Sequence, residues 1–369
     1  MKLIYFTALK YPSKKTEPFF HRQMAAAFSR ALGERFSFVV RGDLPADLLS
    51  VRPVSISAPR RLKALWYFLV FPYLVFSRGW NSSGTVLFSY DPYLLIAIIF
   101  WRNVFRFRYT VAVEWHQLHE DWRDTYFARS SDYNVVVSKH LQQSLKEQFG
   151  VPAKRIVVAY GGVDIKPIAE AAEIPREHLR SRLSLPKGFL VGHVGGFTVA
   201  GLTKGIDVLL ESLLYLPQDV RLICVGGSPH DIETYETLAQ RLGVLERVVL
   251  IRHQPFEKVV AYERALDILV IPVSLQGAFL RTGGLPMKVW EYMAAGRPLV
   301  YTNLELLKEA LEGRGRVFAP DDPRDLARVI IAMRSQWKKE ENLARMNSSA
   351  ALSYTWDSRA RSIIKTLDH

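Results

Sequence analysis

The second half of this chain repeats one pattern: a short apolar run, a turn, an amphipathic stretch, then another apolar run. "FLVGHVGGF" (189–197), "VRLICVGG" (220–227), "RVVLIRH" (247–253), "DILVIPVS" (267–274) and "RPLVYT" (297–302) read as strands. Between and after them, "KGIDVLLESLLYL" (204–216), "DIETYETLAQRLG" (231–243), "FEKVVAYERA" (256–265), the stretch around Glu291 and "LELLKEALEG" (304–313) read as helices. Strands that are apolar on both sides cannot face water on either, so they require a parallel sheet covered by helices on both faces. The first half repeats the theme with strands at 2–7, 35–41, 85–89, 108–114, 133–137 and 155–159, and helices near 17–32, 60–77, 91–102 and 138–148. The fold class is therefore α/β, with two doubly wound domains, and a length of 369 residues suits two. The polar, proline-marked stretch 167–188 reads as their connection. Ligands of such sheets bind at the carboxyl ends of strands, which makes a cleft between the domains the natural site.

Charge divides the chain unequally. Of the net +13, residues 1–190 carry +12 and residues 191–369 carry +1. An asymmetry of this kind points to an anionic partner for the first half: nucleic acid, a membrane surface or a phosphorylated substrate. No nucleic-acid-binding motif or basic helix accompanies the charge, so nucleic acid is not expected. A single cysteine, Cys224, excludes an internal disulfide and a cysteine-rich metal site and fits a reducing compartment. The apolar run before Lys10 is too short for a signal peptide and reads as a first strand.

"GLPMKVWEYMAAGRPLV" (284–300) places an acid, Glu291, inside a short, mostly apolar helix. Pro286 suits a first helical turn and Gly296 the position past the helix end. One reading pairs Glu291 with Lys288 one turn earlier, a contact worth a few tenths of a kcal/mol on an exposed helix, roughly 0.2–0.5. The other makes it an acceptor group beside unpaired backbone N–H groups at a helix start, where anions bind.

Four segments resemble the retaining glycosyltransferases of the GT-B fold, and family 4 most. "VVVSKHLQQSLKEQFGVPAKRIVVAYGGVD" (135–164) is similar to the family stretch ending in Asn-Gly-Val-Asp, and "GGFTVAGLTKGIDVLLESL" (195–213) to its Gly-Arg…Lys-Gly segment. "RALDILVIPVS…GGLPMKVWEYMAAGRPLV" matches its nucleotide-sugar region, and "SYTWDSRARSIIKTL" (353–367) its terminal helix, which crosses back onto the first domain. The resemblance implies two Rossmann-like domains facing a central cleft. Residues 1–184 would bind the acceptor, with helix 355–369 crossing back onto them, and residues 185–354 would bind the donor.

It also implies roles. Lys204 would neutralise the leaving diphosphate, since charge developing there needs a fixed cation. Glu291 would accept hydrogen bonds from the donor ribose and so serve as a ribose clamp, not as the partner of Lys288. His116 would sit near the donor sugar, completing the catalytic set. Gly195, Gly196, Gly226, Arg252, Gly283, Gly284, Leu285, Met287 and Lys288 would line the donor. Lys14, Lys15, Arg22 and His119 would join His116 on the acceptor side. The reaction expected is front-face displacement with retention, using a UDP-, GDP- or related nucleotide sugar and neither cofactor nor metal.

Three positions depart from the pattern. Gly283 stands where the family often has a glutamate, Gly196 where it has an arginine, and Gly161 where it has an asparagine. The missing arginine removes one of two positive charges on the diphosphate, which Arg281 or Arg252 could replace. These changes keep a non-catalytic nucleotide-sugar-binding subunit open as an alternative, and the fold keeps open a nucleotide-sugar epimerase. "PRRLKALWYFLVFPYLVFSRGW" (59–80) and "PYLLIAIIFWRNVFRFRY" (92–109) mix aromatic and basic residues as interfacial helices do, and the first is too short to span a bilayer. The expectation is a cytoplasmic enzyme held peripherally at the inner face of the membrane, acting on a lipid-linked or glycan acceptor.

Overall fold

The computed structural model describes residues 1–11, 16–42, 52–55, 63–199, 202–275 and 285–368. Two compact units emerge: Met1–Gly162 with Trp356–His369, and Val163–Arg281 with Leu285–Thr355.

In the first unit, strands β1 (Lys2–Tyr11), β2 (Phe36–Gly42), β3 (Arg52–Ser55), β4 (Thr85–Ser89), β5 (Thr110–Trp115), β6 (Tyr133–Val136) and β7 (Ile156–Val158) form a parallel sheet in the order β3-β2-β1-β4-β5-β6-β7. β4 is buried along its whole length, as a strand covered on both faces must be. In the second unit, β8 (Phe189–Val194), β11 (Val220–Gly227), β12 (Val248–Arg252), β13 (Ile268–Ile271), β14 (Leu299–Thr302) and β15 (Arg316–Phe318) form a parallel sheet ordered β12-β11-β8-β13-β14-β15. A short hairpin of β9 (Thr198–Val199) and β10 (Leu202–Thr203) follows β8. By order of appearance the second sheet runs 3-2-1-4-5-6, so its switch point lies between β8 and β13. Both units are thus doubly wound Rossmann-like sheets, as the apolar runs require.

The structure adds elements that the sequence reading lacked, among them β3, β15 and helices at Trp122–Ser130, Pro323–Ser335 and Trp337–Ala351. It also corrects the connection. Residues 167–188 are not a linker: helices Ile165–Ala172 and Arg176–Arg182 belong to the second unit, where both pack on helix Phe256–Ala265. Arg176 and Arg180 reach Asp267 at 2.9 and 2.8 Å, which ties them there. The division accordingly falls after Gly162, ahead of the expected 184.

"Gly-Val-Asp" at 162–164 has a structural reason. Gly162 lies so close to Trp356 that a Cβ would come within 2.5 Å of the indole. Val163 bridges to Thr355, and Asp164 caps the next helix by accepting from the Lys166 N–H at 3.1 Å. The chain's two passages between units, 162–163 and 355–356, are therefore side by side. From Trp356 the last helix, Trp356–Leu367, packs on the first, Thr16–Leu32, and Arg30 joins Asp357 at 2.7 Å. A methyl group at residue 162 has no space beside Trp356, so Gly162→Ala should lower the unfolding free energy by about 1–3 kcal/mol, read as a lower urea midpoint.

Candidate functional site

In the second unit, the switch point brings several expected residues together. β8 ends at Val194, and the chain turns through Gly195 and Gly196. Gly226, with φ +120°, backs this turn so tightly that a Cβ there would lie 2.4 Å from the Gly195 carbonyl oxygen. Only glycine fits at such an approach. A Cβ on Gly196 would stand 3.8 Å from Lys204 Nζ, and one on Gly195 would stand 3.3 Å from Lys288 Cε. Both ammonium-bearing side chains therefore converge on the glycine turn. The space that a side chain at 196 would enter is where the Lys204 ammonium sits.

Lys204 is held there from its backbone. Its N–H bonds the Phe197 carbonyl at 2.9 Å, and Gly205 follows it in the left-handed region (φ +85°), its N–H bonded to Thr203 Oγ1 at 3.0 Å. Burial, with Lys288 nearby, pushes the Lys204 ammonium down to about 8, so it is mostly charged at pH 7.

Helix Lys288–Ala295 begins two residues later than Pro286 suggests, with Met287 at its N-cap and Gly296 (φ +65°) closing it. Tyr292 pins this helix to β8, its hydroxyl accepting from the Val194 N–H at 2.7 Å. Glu291 is buried and pairs with Lys288, which corrects the expectation that it stands apart from that lysine. The same ammonium reaches Glu263 at 3.1 Å, on helix Phe256–Ala265. Burial opposes the charge on Lys288, yet the Glu291 and Glu263 carboxylates together raise its pKa above the ordinary value. Burial in turn pushes Glu263 up, against the pull of Lys288 and helped by Glu291. His193, on β8, lies beneath the turn with Nδ1 3.1 Å from the Val270 carbonyl. Burial and the two lysines push it down to about 3, so it is neutral and sets no charge against an anion.

Of the other donor-side residues, Leu285 and Met287 are half-exposed ahead of the helix. Arg252 is exposed at the end of β12, separated from β8 by β11. Gly283, Gly284 and Arg281 lie outside the described residues, as do Lys14 and Lys15.

In the first unit, His116 follows β5, half-exposed, its ring edge-on to Phe20 at 4.5 Å. Its Nε2 lies 3.5 Å from the Glu114 carboxylate. Glu114 is buried and receives Arg359 Nη2 at 2.8 Å and the Tyr5 hydroxyl at 3.1 Å. Arg359, from the last helix, also donates to the Tyr160 carbonyl at 2.8 Å. His21 bonds Tyr5 and stacks on Tyr90 at 3.9 Å, and burial holds it neutral by lowering its pKa. Burial alone would raise the Glu114 pKa, but Arg359, His116 and His21 bring it well below the usual carboxylate range. The result is a histidine that faces a buried carboxylate, itself held by an arginine. His119 stands near it in sequence, half-buried, its backbone N–H bonded to Asp124 at 2.9 Å and its ring near Phe127. Arg22 is half-buried on helix Thr16–Leu32.

Sequence reasoning missed Glu263, His193, Tyr292, Glu114 and Arg359. A histidine inside the apolar strand "FLVGHV" and a glutamate inside "TVAVEW" were the available signals.

Residues 188–336 match the family model described as Glycosyl transferases group 1. The chain is 28% identical over 245 residues to D-inositol 3-phosphate glycosyltransferase of Xylanimonas cellulosilytica, covering 64% of this chain and 56% of that one. It is 37% identical over 173 residues to GDP-mannose-dependent alpha-(1-6)-phosphatidylinositol monomannoside mannosyltransferase of Mycolicibacterium smegmatis, covering 46% and 44%. The matches thus span about half the length of these curated relatives. Among solved structures, Anabaena HepE in complex with UDP superposes with a TM-score of 0.76 at 17% identity, covering 100% of this chain and 99% of that one.

Acidity should act on Glu114 as follows. Its folded pKa is depressed, so its contribution to stability is complete above the unfolded value of 4.5 and is lost as the pH falls below it. Arg359→Met strands the carboxylate and should cost about 3–5 kcal/mol at pH 7. Urea unfolding across pH should show that this cost shrinks as acid protonates Glu114.

Proposed function

We propose, from the premise that this chain belongs by family to the GT-B glycosyltransferases, that it moves a sugar from a nucleotide-diphosphate-sugar donor to a hydroxyl of a lipid-linked or glycan acceptor. One observation carries the reading: Lys204 and Lys288 converge on the Gly195–Gly196 turn at the carboxyl end of β8, where sheets of this order bind ligands. That the Xylanimonas and Mycolicibacterium relatives are named as glycosyltransferases, and that Anabaena HepE binds UDP, supports it.

The donor diphosphate would lie on the glycine turn. There backbone can approach closely, and Lys204 supplies a cation as negative charge grows on the departing oxygen. Glu291 would turn one oxygen to the ribose hydroxyls while Lys288 stays anchored by Glu263. The bond from the anomeric carbon to phosphate oxygen breaks, and the acceptor oxygen bonds that carbon from the same face. The acceptor proton passes to the phosphate oxygen, and the products are a nucleoside diphosphate and a glycoside of retained configuration. In this reading the diphosphate charge is met by ammonium groups, with no metal and no cofactor. His116, facing Glu114, would hydrogen-bond the sugar or diphosphate. With a lipid-linked acceptor the reaction would run at the cytoplasmic face of a membrane.

Purified chain supplied with UDP-, GDP- and related hexoses and a lipid-diphosphate acceptor should release nucleoside diphosphate. The anomeric proton coupling of the product, read by NMR, reports the configuration. Nucleotide binding without turnover would identify a non-catalytic subunit instead.

Affinity for a nucleoside diphosphate should fall as the pH rises through about 8, because Lys204 loses its proton there in the free protein. By calorimetry, Lys204→Met should bind about 10- to 100-fold more weakly at pH 7 and show no such pH dependence. Glu291→Ala should lose discrimination between ribose and 2′-deoxyribose nucleotides, measured in the same titration.

A further inference from the structure

His193 is a polar ring in an otherwise apolar strand, and its hydrogen bonds leave it half served. It is buried on β8, two residues before Gly195. Its Nδ1 lies 3.1 Å from the Val270 carbonyl oxygen, which can only accept, so Nδ1 carries the proton of the neutral ring. Nε2 is then a bare acceptor. It is buried, has no hydrogen-bond partner among the described residues, and lies against the glycine turn, where a Cβ on Gly195 would stand 3.1 Å from it. The Gly196 backbone, like that of Val270, favours the protonated ring. Two backbone positions thus call for a donor, and a neutral imidazole has one N–H to give.

The charge gathered at the turn falls short of what a doubly anionic diphosphate needs. Lys204 brings one positive charge, and residue 196 adds no side chain. Lys288 brings another, but Glu263 and Glu291 both stand against it. Cys224, opposite His193 on β11, and Tyr292, whose hydroxyl is 3.4 Å from Nδ1, are pushed up by burial and stay neutral. In the free protein, burial and the two ammonium groups hold the ring neutral. An anion on the turn opposes the ammonium groups, because a nearby negative charge favours the protonated form. In a buried place water screens that influence little.

We propose that His193 supplies the missing positive charge: it takes a proton from solvent when the diphosphate of a nucleotide sugar settles on the glycine turn, and returns it when the nucleoside diphosphate leaves. The new Nε2–H faces the Gly196 backbone while Nδ1–H keeps the Val270 carbonyl, so both ring nitrogens are served. The added charge then lies beneath the turn, on the side away from solvent. His193 acts through the turn and not on the reacting atoms, which makes it a positioning residue for the donor. This role deepens the proposed function and rests on it in taking a nucleotide diphosphate as the ligand.

The test is calorimetry of nucleotide-sugar binding to the full chain in buffers of different ionisation enthalpy, which counts the protons exchanged. UDP- and GDP-hexoses are the probes, because a diphosphate esterified at both ends has no proton of its own to exchange near neutrality. At about pH 6 Lys204 is already charged, and the Glu263 carboxyl, which burial pushes up to about 7, already holds most of its proton. Wild type should take up about one proton per donor bound, so its affinity should fall up to about tenfold per unit as the pH rises from about 5 to 6. His193→Phe, and His193→Gln, which keeps a hydrogen-bonding group without a titratable one, should bind more weakly and take up none. In wild type with nitrogen-labelled histidine, NMR should show the bare ring nitrogen of His193 gaining a proton on donor binding. Donor binding without proton uptake, uptake unchanged in the variants, or a His193 nitrogen still bare in the complex would overturn this role and leave the proposed function standing. Failure of every nucleotide sugar to bind would overturn both.

Discussion

A carboxylate with no exposed surface has to be neutralised from inside the protein, and Glu114 sets this requirement at the heart of the first unit. Its partner, Arg359, arrives on the last helix of the chain, 245 residues later. Pairing the two fixes the last helix against β5 and gives His116 one carboxylate to face. Buried ion pairs of this kind add little net stability compared with apolar packing, because desolvation cancels most of their attraction. Their location is then informative. The second unit repeats the arrangement with Lys288 between Glu263 and Glu291, again at the carboxyl side of its sheet. In both units the compensated charges gather where sheets of this winding receive ligands, not where the core would gain most from them.

Much of the architecture was legible from periodicity, because a parallel strand buried on two faces leaves a continuous apolar run that few other elements imitate. Where the signal was weaker, the reading failed for identifiable reasons. Residues 167–188 are polar and contain prolines, yet Pro167 and Pro175 sit at helix starts, where proline is tolerated; both helices pack on helix Phe256–Ala265 and the second is tied to Asp267, which local pattern does not reveal. The helix Trp122–Ser130 has a weak apolar face and little to distinguish it from a loop.

The candidate site divides along the same line. Gly195, Gly196, Lys204, Lys288 and Glu291 could be found because short loops and one helix carry them at fixed spacings. Glu263, His193, Glu114 and Arg359 each matter through a partner distant in sequence, and no spacing encodes that. The Glu291–Lys288 contact shows the limit most plainly. Their i,i+3 spacing suggested a weak surface pair, but burial and the second carboxylate of Glu263 make the lysine the bridge between two helices.

The charge imbalance of the sequence finds a place in the fold by the same reasoning. In the first unit the arginine of the carboxyl end, Arg359, is buried and consumed by its partners, so it projects little field outward. At the amino ends of β5 and β6, Arg106, Arg108, Arg129 and Lys154 are exposed, with one neutralised acid among them. A long-range field is therefore generated at the end of the sheet that holds no candidate reacting group. A parallel sheet directs its ligand loops to one edge only, so this basic end of the sheet is free of the constraints that the candidate site sets at the other.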